Sequence, residues 1–330
     1  MLKKTLTEIV KPILDSRAAD ISKFQDAEVY KGDIAGEVAA PLPPQCFLGA
    51  WYRKVVSSKD QWLGIQGVIK LGEFIPDDAR FGNDNRIEAN RYLDNPSIYM
   101  GGSALSESDA GLGFNVSYTT GDTSKDLDYG SPKVAYRPFW RYIYSEVIDD
   151  NMNVERSNVN SWNVTDPRLL QYYYFPGDVI RMSVFSPLQD YLQLSIEVIE
   201  PTTIEKYVKI RETYQLKDNR PADFYSPIFY SKGHGYTSAE FKRVNSIDQY
   251  GNEGWHVKPT EAQVTEANWQ EVYLFREIEG KVVKVPFVKE RQCSMICPNE
   301  EAITVSYEGV NTDLGAENIT LHPGRCKNIK

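Results

Sequence analysis

The stretch LQDYLQLSIEVIEP, Leu188–Pro201, alternates apolar and polar side chains through its central part. Every second residue from 192 to 198 is leucine, isoleucine or valine, and the residues between them are glutamine, serine and glutamate. Because successive side chains of a β-strand point to opposite faces, the pattern predicts a strand with one buried face and one more polar face. Such strands favour antiparallel sheets whose apolar faces pack against each other.

Similar strand-like stretches recur over most of the chain, separated by turns and without regularly alternating helices. Examples are QWLGIQGVIKLG, GLGFNVSYTTG, VAYRPFWRYIYSEVI and VIRMSVFSP, the last of which follows a turn at PGD. This order argues against a parallel sheet with crossover helices. We therefore predict an all-β protein, an antiparallel two-sheet β-sandwich of the concanavalin-like or jelly-roll type, with an N-terminal helix.

Three parts of the chain differ in pattern. Residues 3–29 show helical apolar spacing, and the proline-rich stretch GEVAAPLPPQ, Gly36–Gln45, excludes a helix or a central strand. We predict an N-terminal helix and proline-rich linker over 1–40, a β-sandwich domain over 41–287, and a cysteine-containing C-terminal hairpin and tail over 288–330.

The composition limits the class of protein. The 330 residues are 41% hydrophobic and 25% charged, which is ordinary for a globular protein. The net charge of −9 and the lack of a basic stripe argue against a nucleic-acid partner. No apolar run reaches the roughly 18–20 residues that span a bilayer, and the N-terminus lacks a signal-peptide pattern. We expect no membrane association and a protein that is cytoplasmic or non-classically exported. The sequence does not indicate an oligomeric state.

The cysteines and histidines do not form a metal-binding pattern. A zinc site needs closely paired ligands, but Cys293 and Cys297 are the only close pair, and the three histidines are scattered. We therefore expect no metal and no cofactor. The spacing favours plain thiols over a disulfide in the tail or a metal site.

Aromatic side chains suggest a binding surface. In a strand, Trp140, Tyr142 and Tyr144 would share one face, which either belongs to the core or lines a cleft. Gln66 would share a face with Trp62 and could look into the same groove. These five residues are the predicted ligand-binding residues, and a carbohydrate or a peptide is the predicted ligand.

Several fragments resemble the glutamic peptidases of the eqolisin type. They are QWLGIQGV, SIYMGGS, FWRYIYSE, FPGDVIRMSV and TSAEFKRV, within Trp51–Tyr273. The resemblance implies a β-sandwich related to concanavalin-like lectins and glucanases, and it makes Glu240 the candidate catalytic carboxyl. The catalytic glutamine of that family would fall on Met100, whose thioether cannot donate a hydrogen bond to an oxyanion. In another register Gln61 or Gln66 would take that place.

Three functions follow as hypotheses, and the sequence leaves open whether the protein is an enzyme. The first is a non-catalytic module that binds a carbohydrate or peptide in a concave, aromatic-lined groove. The second is a hydrolase similar to glutamic peptidases that uses Glu240, although a glutamate in an alternating strand is also typical of a solvent face. The third is a structural or assembly protein.

Overall fold

The computed structural model describes residues 18–83, 90–114, 135–147, 154–163, 167–213 and 217–326. Strands dominate them. In chain order they are β1 (Ala50–Ser57), β2 (Trp62–Lys70), β3 (Glu73–Ile75), β4 (Phe81–Asn83), β5 (Asn90–Tyr92), β6 (Asp94–Ser103), β7 (Glu107–Gly113), β8 (Arg137–Val147), β9 (Val154–Asn163), β10 (Val179–Leu188), β11 (Tyr191–Glu200), β12 (Phe224–Tyr225), β13 (Phe229–Tyr230), β14 (Glu240–Gln249), β15 (Gln263–Ile278), β16 (Lys281–Pro286), β17 (Gln292–Cys297), β18 (Ile303–Ser306) and β19 (Glu317–Leu321). The α-helices described are α1 (Ala18–Gln25) and α2 (Glu205–Thr213).

The strands form two large antiparallel sheets. The seven-stranded sheet has the order β17-β1-β14-β6-β7-β8-β9. The ten-stranded sheet has the path β12-β11-β10-β2-β15-β19-β18, with β13 beside β11 and with β3 and β16 beside β15. Strands β4 and β5 form a separate hairpin. The predicted all-β, two-sheet sandwich with an N-terminal helix is therefore confirmed, while its concanavalin-like or jelly-roll type remains a prediction.

The alternating stretch around residue 192 forms β11. Leu192, Leu194 and Ile196 are fully buried in the main core, as the pattern predicts. The intervening Gln193 and Ser195 are also buried, which differs from the predicted polar face. The reason is local cover: the chain between β12 and β13 crosses this side, and the Gln193 side chain donates to the Ser226 carbonyl at 2.8 Å.

The apolar sides of the two sheets enclose the core, and one ionic cluster crosses it. Arg53 and Arg243 project from the seven-stranded sheet and donate to the Glu317 carboxylate on β19, at 2.9 Å and 2.7 Å. The guanidinium of Arg243 also lies over the Trp269 ring at 5.2 Å. A buried carboxylate needs such donors because burial removes its hydration. The pairings fix which strands of the two sheets face each other.

Helix α1 covers part of the ten-stranded sheet from outside. Phe24 stacks on Phe185 with ring centroids 4.6 Å apart and meets the edge of Phe275 at 5.1 Å. Burying such a ring contributes about 1.5–3 kcal/mol. The predicted N-terminal helix is thus present over Ala18–Gln25, and its predicted part before residue 18 lies outside the described residues.

One pair of cysteines is bonded. Cys46, in the segment before β1, forms a disulfide with Cys297 at the end of β17, and their Cα atoms are 5.8 Å apart. Cys293 and Cys326 are free and buried. The prediction of plain thiols is therefore wrong for two of the four cysteines. The partners are 251 residues apart in sequence, and spacing alone does not show that β17 returns to β1.

The last described segments belong to both sheets. Strand β17 pairs with β1, and β19 pairs with β15. The segment predicted as a C-terminal hairpin and tail thus supplies an edge strand to one sheet and an inner strand to the other. The domain boundaries at 40 and 287 remain predictions.

Candidate functional site: the outer face of the seven-stranded sheet

Glu240 and Lys242 lie on the side of the seven-stranded sheet that points away from the ten-stranded sheet. Phe241 and Ile247 of the same strand are in the main core, so the alternate residues of β14 face outward. We call this side the outer face. Its other members are Val244, Ser246 and Asp248 of β14 and, on neighbouring strands, Tyr52, Lys54, Ser97, Tyr99, Gly101, Glu107, Asp109 and Arg141.

A row of four charged side chains crosses the outer face. Asp109 accepts a hydrogen bond from Arg141 at 2.7 Å and lies 2.9 Å from the Lys242 ammonium, which also pairs with Glu107. The Asp109 side chain is 2% exposed, whereas those of Arg141 and Glu107 are 30% and 44% exposed. The row therefore has a buried centre and two accessible ends.

Electrostatics keep all the central groups charged. Burial alone would raise the pKa of Asp109, but Lys242 and Arg141 outweigh it and lower that pKa. Burial alone would lower the pKa of Lys242, but Asp109 and Glu107 outweigh it and raise that pKa. Each charge stabilises the ionised form of its neighbour.

A glycine makes room for this row. Gly101 lies in register between Asp109 on β7 and Lys242 on β14. A Cβ atom at this position would lie 2.3 Å from the Ser108 carbonyl oxygen and 2.6 Å from Asp109 Oδ1. Any larger residue would therefore push the carboxylate away from the Lys242 ammonium.

Serines hold a second acid on the same face. The Ser97 hydroxyl lies 2.5 Å from an Asp248 carboxylate oxygen and 2.6 Å from the Ser246 hydroxyl. Burial raises the pKa of Asp248, and the hydrogen bond from Ser97 opposes that shift. Burial also raises the pKa of the Tyr99 hydroxyl well above its usual value, and the charge of Asp109 adds to the effect. Tyr99 is therefore a neutral phenol among charged groups.

Glu240 is at one end of the outer face. It begins β14 opposite Ser103, and it is half-buried. Burial and the charge of Lys242 lower the pKa of Lys54, while Glu240 opposes this shift. The Gln61 amide donates to the Ser238 hydroxyl at 3.1 Å. Since Ala239 is buried in the core, Ser238 and Glu240 share the outward side.

Trp62 and Gln66, two of the predicted ligand-binding residues, are buried. Trp62 belongs to the main core and is 1% exposed. Gln66 is 6% exposed on the ten-stranded sheet, where its amide donates to the Ser183 hydroxyl at 3.0 Å. These two residues therefore do not share a groove with Glu240. They present almost no surface on which a ligand could stack.

The predicted aromatic face of β8 is only partly described. Trp140 packs against the main core and lies 5.8 Å from the Phe224 ring of the ten-stranded sheet. Trp140 therefore faces inward, on the side opposite Asp109 and Arg141. Tyr142 and Tyr144 have their backbones in β8, but their side chains lie outside the described residues.

Met100 also points into the sandwich. It is fully buried, and its Cε atom lies 3.1 Å from the place of a Cβ on Gly67, which belongs to the ten-stranded sheet. The resemblance placed the catalytic glutamine of the family at Met100, but Met100 faces the core. The neighbouring residues of β6 on the outer face are Tyr99 and Gly101.

Sequence reasoning missed the charged row itself. Asp109 and Lys242 are 133 residues apart, and no single sequence motif contains both of them. The available signals were the glycine pair beginning at Gly101 and the alternation of Glu107 and Asp109 in β7, which places both acids on one face.

The described residues show no other strong candidate. No group of three or more histidine, cysteine, aspartate or glutamate side chains among them could hold a metal ion. Neither described helix has the length and apolar composition needed to cross a lipid bilayer. A shallow cavity of about 520 Å³ lies at β18 and β19, remote from Glu240 in the fold, and includes His322 and Thr304, whose side chains are 2.7 Å apart.

Comparison with known proteins gives a likeness of shape alone. No family model and no curated protein matches the sequence. Scytalido-glutamic peptidase with a peptide-based transition-state analogue is 8% identical, with a TM-score of 0.42 over 83% of this chain and 98% of that chain. The same peptidase with a transition-state analogue inhibitor gives 8% identity and a TM-score of 0.41 over 84% and 100%. SCP-B, a member of the eqolisin family of peptidases in complex with the tripeptide Ala-Ile-His, gives 7% identity and a TM-score of 0.36 over 83% and 98%. The chain therefore bears a distant structural resemblance to glutamic peptidases of the eqolisin type.

Proposed function

We propose that the protein binds an extended polypeptide segment on the outer face of the seven-stranded sheet. The observation that carries the proposal is the charged row, in which the accessible ends Arg141 and Glu107 flank the buried Asp109 and Lys242. An extended peptide offers carbonyl acceptors and N–H donors in alternation. A cationic end and an anionic end can therefore each meet a suitable group of the same peptide.

The row favours a polar ligand of low net charge. Its two acids and two bases cancel, so it creates no strong field of one sign that would select a highly charged ligand. Asp109 holds Arg141 with two nitrogens, at 2.7 Å and 3.1 Å. Since these hydrogen bonds already order the Arg141 side chain, a ligand that binds to it causes little further loss of side-chain entropy.

Selection from a display library of random linear peptides, followed by calorimetry with the selected peptides, tests this function. Glu107→Gln keeps the shape of an accessible end and removes its charge, and we expect the affinity to fall about 5- to 10-fold. Glu205→Gln on α2 is the matched control, because it removes an exposed glutamate away from the sheet. Equal affinities of the unmodified protein and Glu107→Gln for every selected peptide would count against the proposal.

A second candidate function is hydrolysis of the bound peptide. Its specific support is the Gln61–Ser238 hydrogen bond, which brings a carboxamide to the outward side of the segment that leads into Glu240. Ser238 is only two residues before Glu240 in the sequence. A carboxyl can activate water, and a carboxamide can donate to the oxyanion that forms on the attacked carbonyl.

Incubating the selected peptides with the protein from mildly acidic to neutral pH, with mass spectrometry of the products, tests this hydrolysis. We expect Glu240→Gln to abolish cleavage and Gln61→Ala to slow it by about 100-fold, with peptide affinity largely retained. Intact peptides after prolonged incubation with the unmodified protein would leave binding as the function.

A further inference from the structure

We propose that the ammonium of Lys54 binds a carboxylate of the peptide ligand, which makes Lys54 a specificity-determining residue of the outer face. The carboxylate can belong to an aspartate or glutamate side chain of the peptide or to its C-terminus. The inference rests on the proposed peptide binding and adds the chemical group that the ligand must carry.

Lys54 projects from the outer face on the strand next to the charged row. The following residue, Val55, is fully buried in the main core, so Lys54 points outward. Lys54 is in register with Val244 of β14, two residues from Lys242. Strand β1 is therefore the neighbour of β14 on the side away from β7 and β8. A ligand that crosses the charged row in this direction arrives next at Lys54.

The charges that act on the Lys54 amine show which part of the face it occupies. Besides burial, they are those of Lys242, Glu240, Glu107 and Asp109. The registers place all four toward the end of the face at which β14 begins. The amine therefore belongs to the area that contains both the charged row and Glu240, where the peptide is proposed to bind.

The Lys54 ammonium lacks the counter-ions that Lys242 has. Lys242 pairs with Glu107 and lies 2.9 Å from Asp109, and these acids outweigh burial and raise its pKa. In the part of the chain that the structure describes, no carboxylate is within ion-pair distance of Lys54. Burial and then the charge of Lys242 lower the pKa of Lys54. The charge of this half-buried lysine is thus not fully compensated within the protein.

A carboxylate of the ligand would supply the missing counter-ion. A hydrogen bond between two ionised groups is shorter and stronger than one between neutral groups, and partial burial reduces its screening by salt. A ligand amide in the same place would leave the Lys54 charge uncompensated. Lys54 therefore discriminates a carboxylate from the corresponding amide, although the two groups have nearly the same shape.

The position of Lys54 also sets the length of the ligand. Neighbouring strands are about 4.8 Å apart, and three such spacings separate β1 from β7, which carries Glu107. An extended peptide advances about 3.3 Å per residue, so a segment of about four to five residues spans this distance. A ligand with a donor or cation at Glu107 and a carboxylate at Lys54 keeps the low net charge that the charged row favours.

Calorimetry with the peptides selected on the unmodified protein tests the inference. Each peptide is compared with versions in which an aspartate or glutamate is changed to its amide and with a version whose C-terminus is amidated. These arms distinguish the two sources of the carboxylate. We expect one of the changes to weaken binding to the unmodified protein about 10-fold and to have no effect on binding to Lys54→Met.

Two further variants serve as comparisons. Lys54→Arg keeps the positive charge and should retain most of the preference for the carboxylate. Lys209→Met on α2 is the matched control, because Lys209 is an exposed lysine away from the sheet. It should retain the full preference, and an equal loss of preference in Lys209→Met and Lys54→Met would overturn the inference.

Thermal unfolding separates the proposed role from a structural one. Lys54→Met removes a half-buried charge that lacks a counter-ion, so the variant should be at least as stable as the unmodified protein. A Lys54→Met protein that unfolds more readily and binds every peptide more weakly, with or without the carboxylate, would assign Lys54 to the fold and overturn the inference.

The outcomes also separate this inference from the proposed function. Peptides whose binding depends on Glu107 but on no carboxylate would overturn the inference alone, as would a carboxylate that contributes equally to binding by the unmodified protein and by Lys54→Met. Loss of the carboxylate preference in Lys54→Met with no effect of Glu107→Gln would support Lys54 and overturn the charged row. Failure to select any peptide would overturn both.

Discussion

The Asp178 carboxylate binds the Arg211 guanidinium at two points, with Oδ1 2.9 Å from Nη1 and Oδ2 2.5 Å from Nη2, and both side chains are fully buried. The same carboxylate accepts the backbone N–H groups of Phe175 and Thr202, each at 2.6 Å. Asp178 is the aspartate of the PGD turn, so one carboxylate ties that turn to α2.

We expect Asp178→Asn to lower the free energy of unfolding by about 3–5 kcal/mol, because it leaves the Arg211 charge buried without its counter-ion. Urea unfolding followed by fluorescence measures this change. Glu205→Gln breaks an exposed ion pair with Lys209 and should change the same quantity by no more than about 0.5 kcal/mol. Similar losses in the two variants would contradict the assigned role of Asp178.

The need for glycine at 101 is also testable. Gly101→Ala should lower the free energy of unfolding by about 1–3 kcal/mol, because the new Cβ would strike the Ser108 carbonyl and the Asp109 carboxylate. Gly113→Ala on β7 is the control, since the nearest atom to a Cβ there is 3.6 Å away in the Phe139 ring. Thermal unfolding measures the stability of both variants. An equally small loss of stability in Gly101→Ala and Gly113→Ala would show that the charged row can shift to accommodate the added Cβ.

Stability should fall in mild acid because of His234. Burial, with a further contribution from the charge of Lys59, lowers the pKa of His234 to about 4, and Asp190 and the Ser231 backbone act in the opposite direction. An unfolded histidine titrates near pH 6.5, so between about pH 6.5 and 4 the unfolded chain binds the proton that the folded chain excludes. The folded state should therefore lose about 3 kcal/mol as the pH falls through this window, with no further loss from this residue below it.

Urea unfolding of the protein and of His234→Gln at about pH 7 and pH 4.5 measures this effect. The variant should be less stable at neutral pH, yet it should lose less stability on acidification than the unmodified protein. Parallel losses would assign the acid sensitivity to other groups.

The disulfide predicts how many cysteines an alkylating reagent can modify. Under denaturing, non-reducing conditions, alkylation should modify two of the four cysteines, Cys293 and Cys326, and after reduction it should modify all four. Intact-mass and peptide-mass analysis reads out both results. Closing so long a loop restricts the unfolded chain, so Cys46→Ser should lower the free energy of unfolding by about 2–4 kcal/mol under oxidising conditions. It should have little effect under reducing conditions.

The fold was predictable where its signals were local. The alternation of Leu192, Leu194 and Ile196 predicted a strand and its buried side, and the PGD tripeptide predicted the turn at Asp178. Period-two patterning depends on residues two positions apart, so it survives without knowledge of the partner strands. For the same reason the pattern could not show that the chain between β12 and β13 also buries Gln193.

The candidate site was harder to predict because its contacts are long-range. The charged row needs the registers that place Asp109 and Lys242 on either side of Gly101, and no local pattern specifies a register between distant strands. The prediction that Trp140 lies in a strand is correct. Since both faces of this strand carry aromatic residues, the pattern could not show whether Trp140 faces the core or the outside. The side that it occupies depends on Phe224 in the other sheet.

The pairing of β17 with β1 has a consequence for synthesis of the chain. The partner along one edge of β1, Gln292–Cys297, leaves the ribosome some 240 residues after β1 itself. Until then that edge has unpaired N–H and C=O groups, which can recruit a strand from another nascent chain. Polypeptides truncated before residue 290 should accordingly aggregate, and recovery of native protein should depend on chaperones that shield this edge during translation.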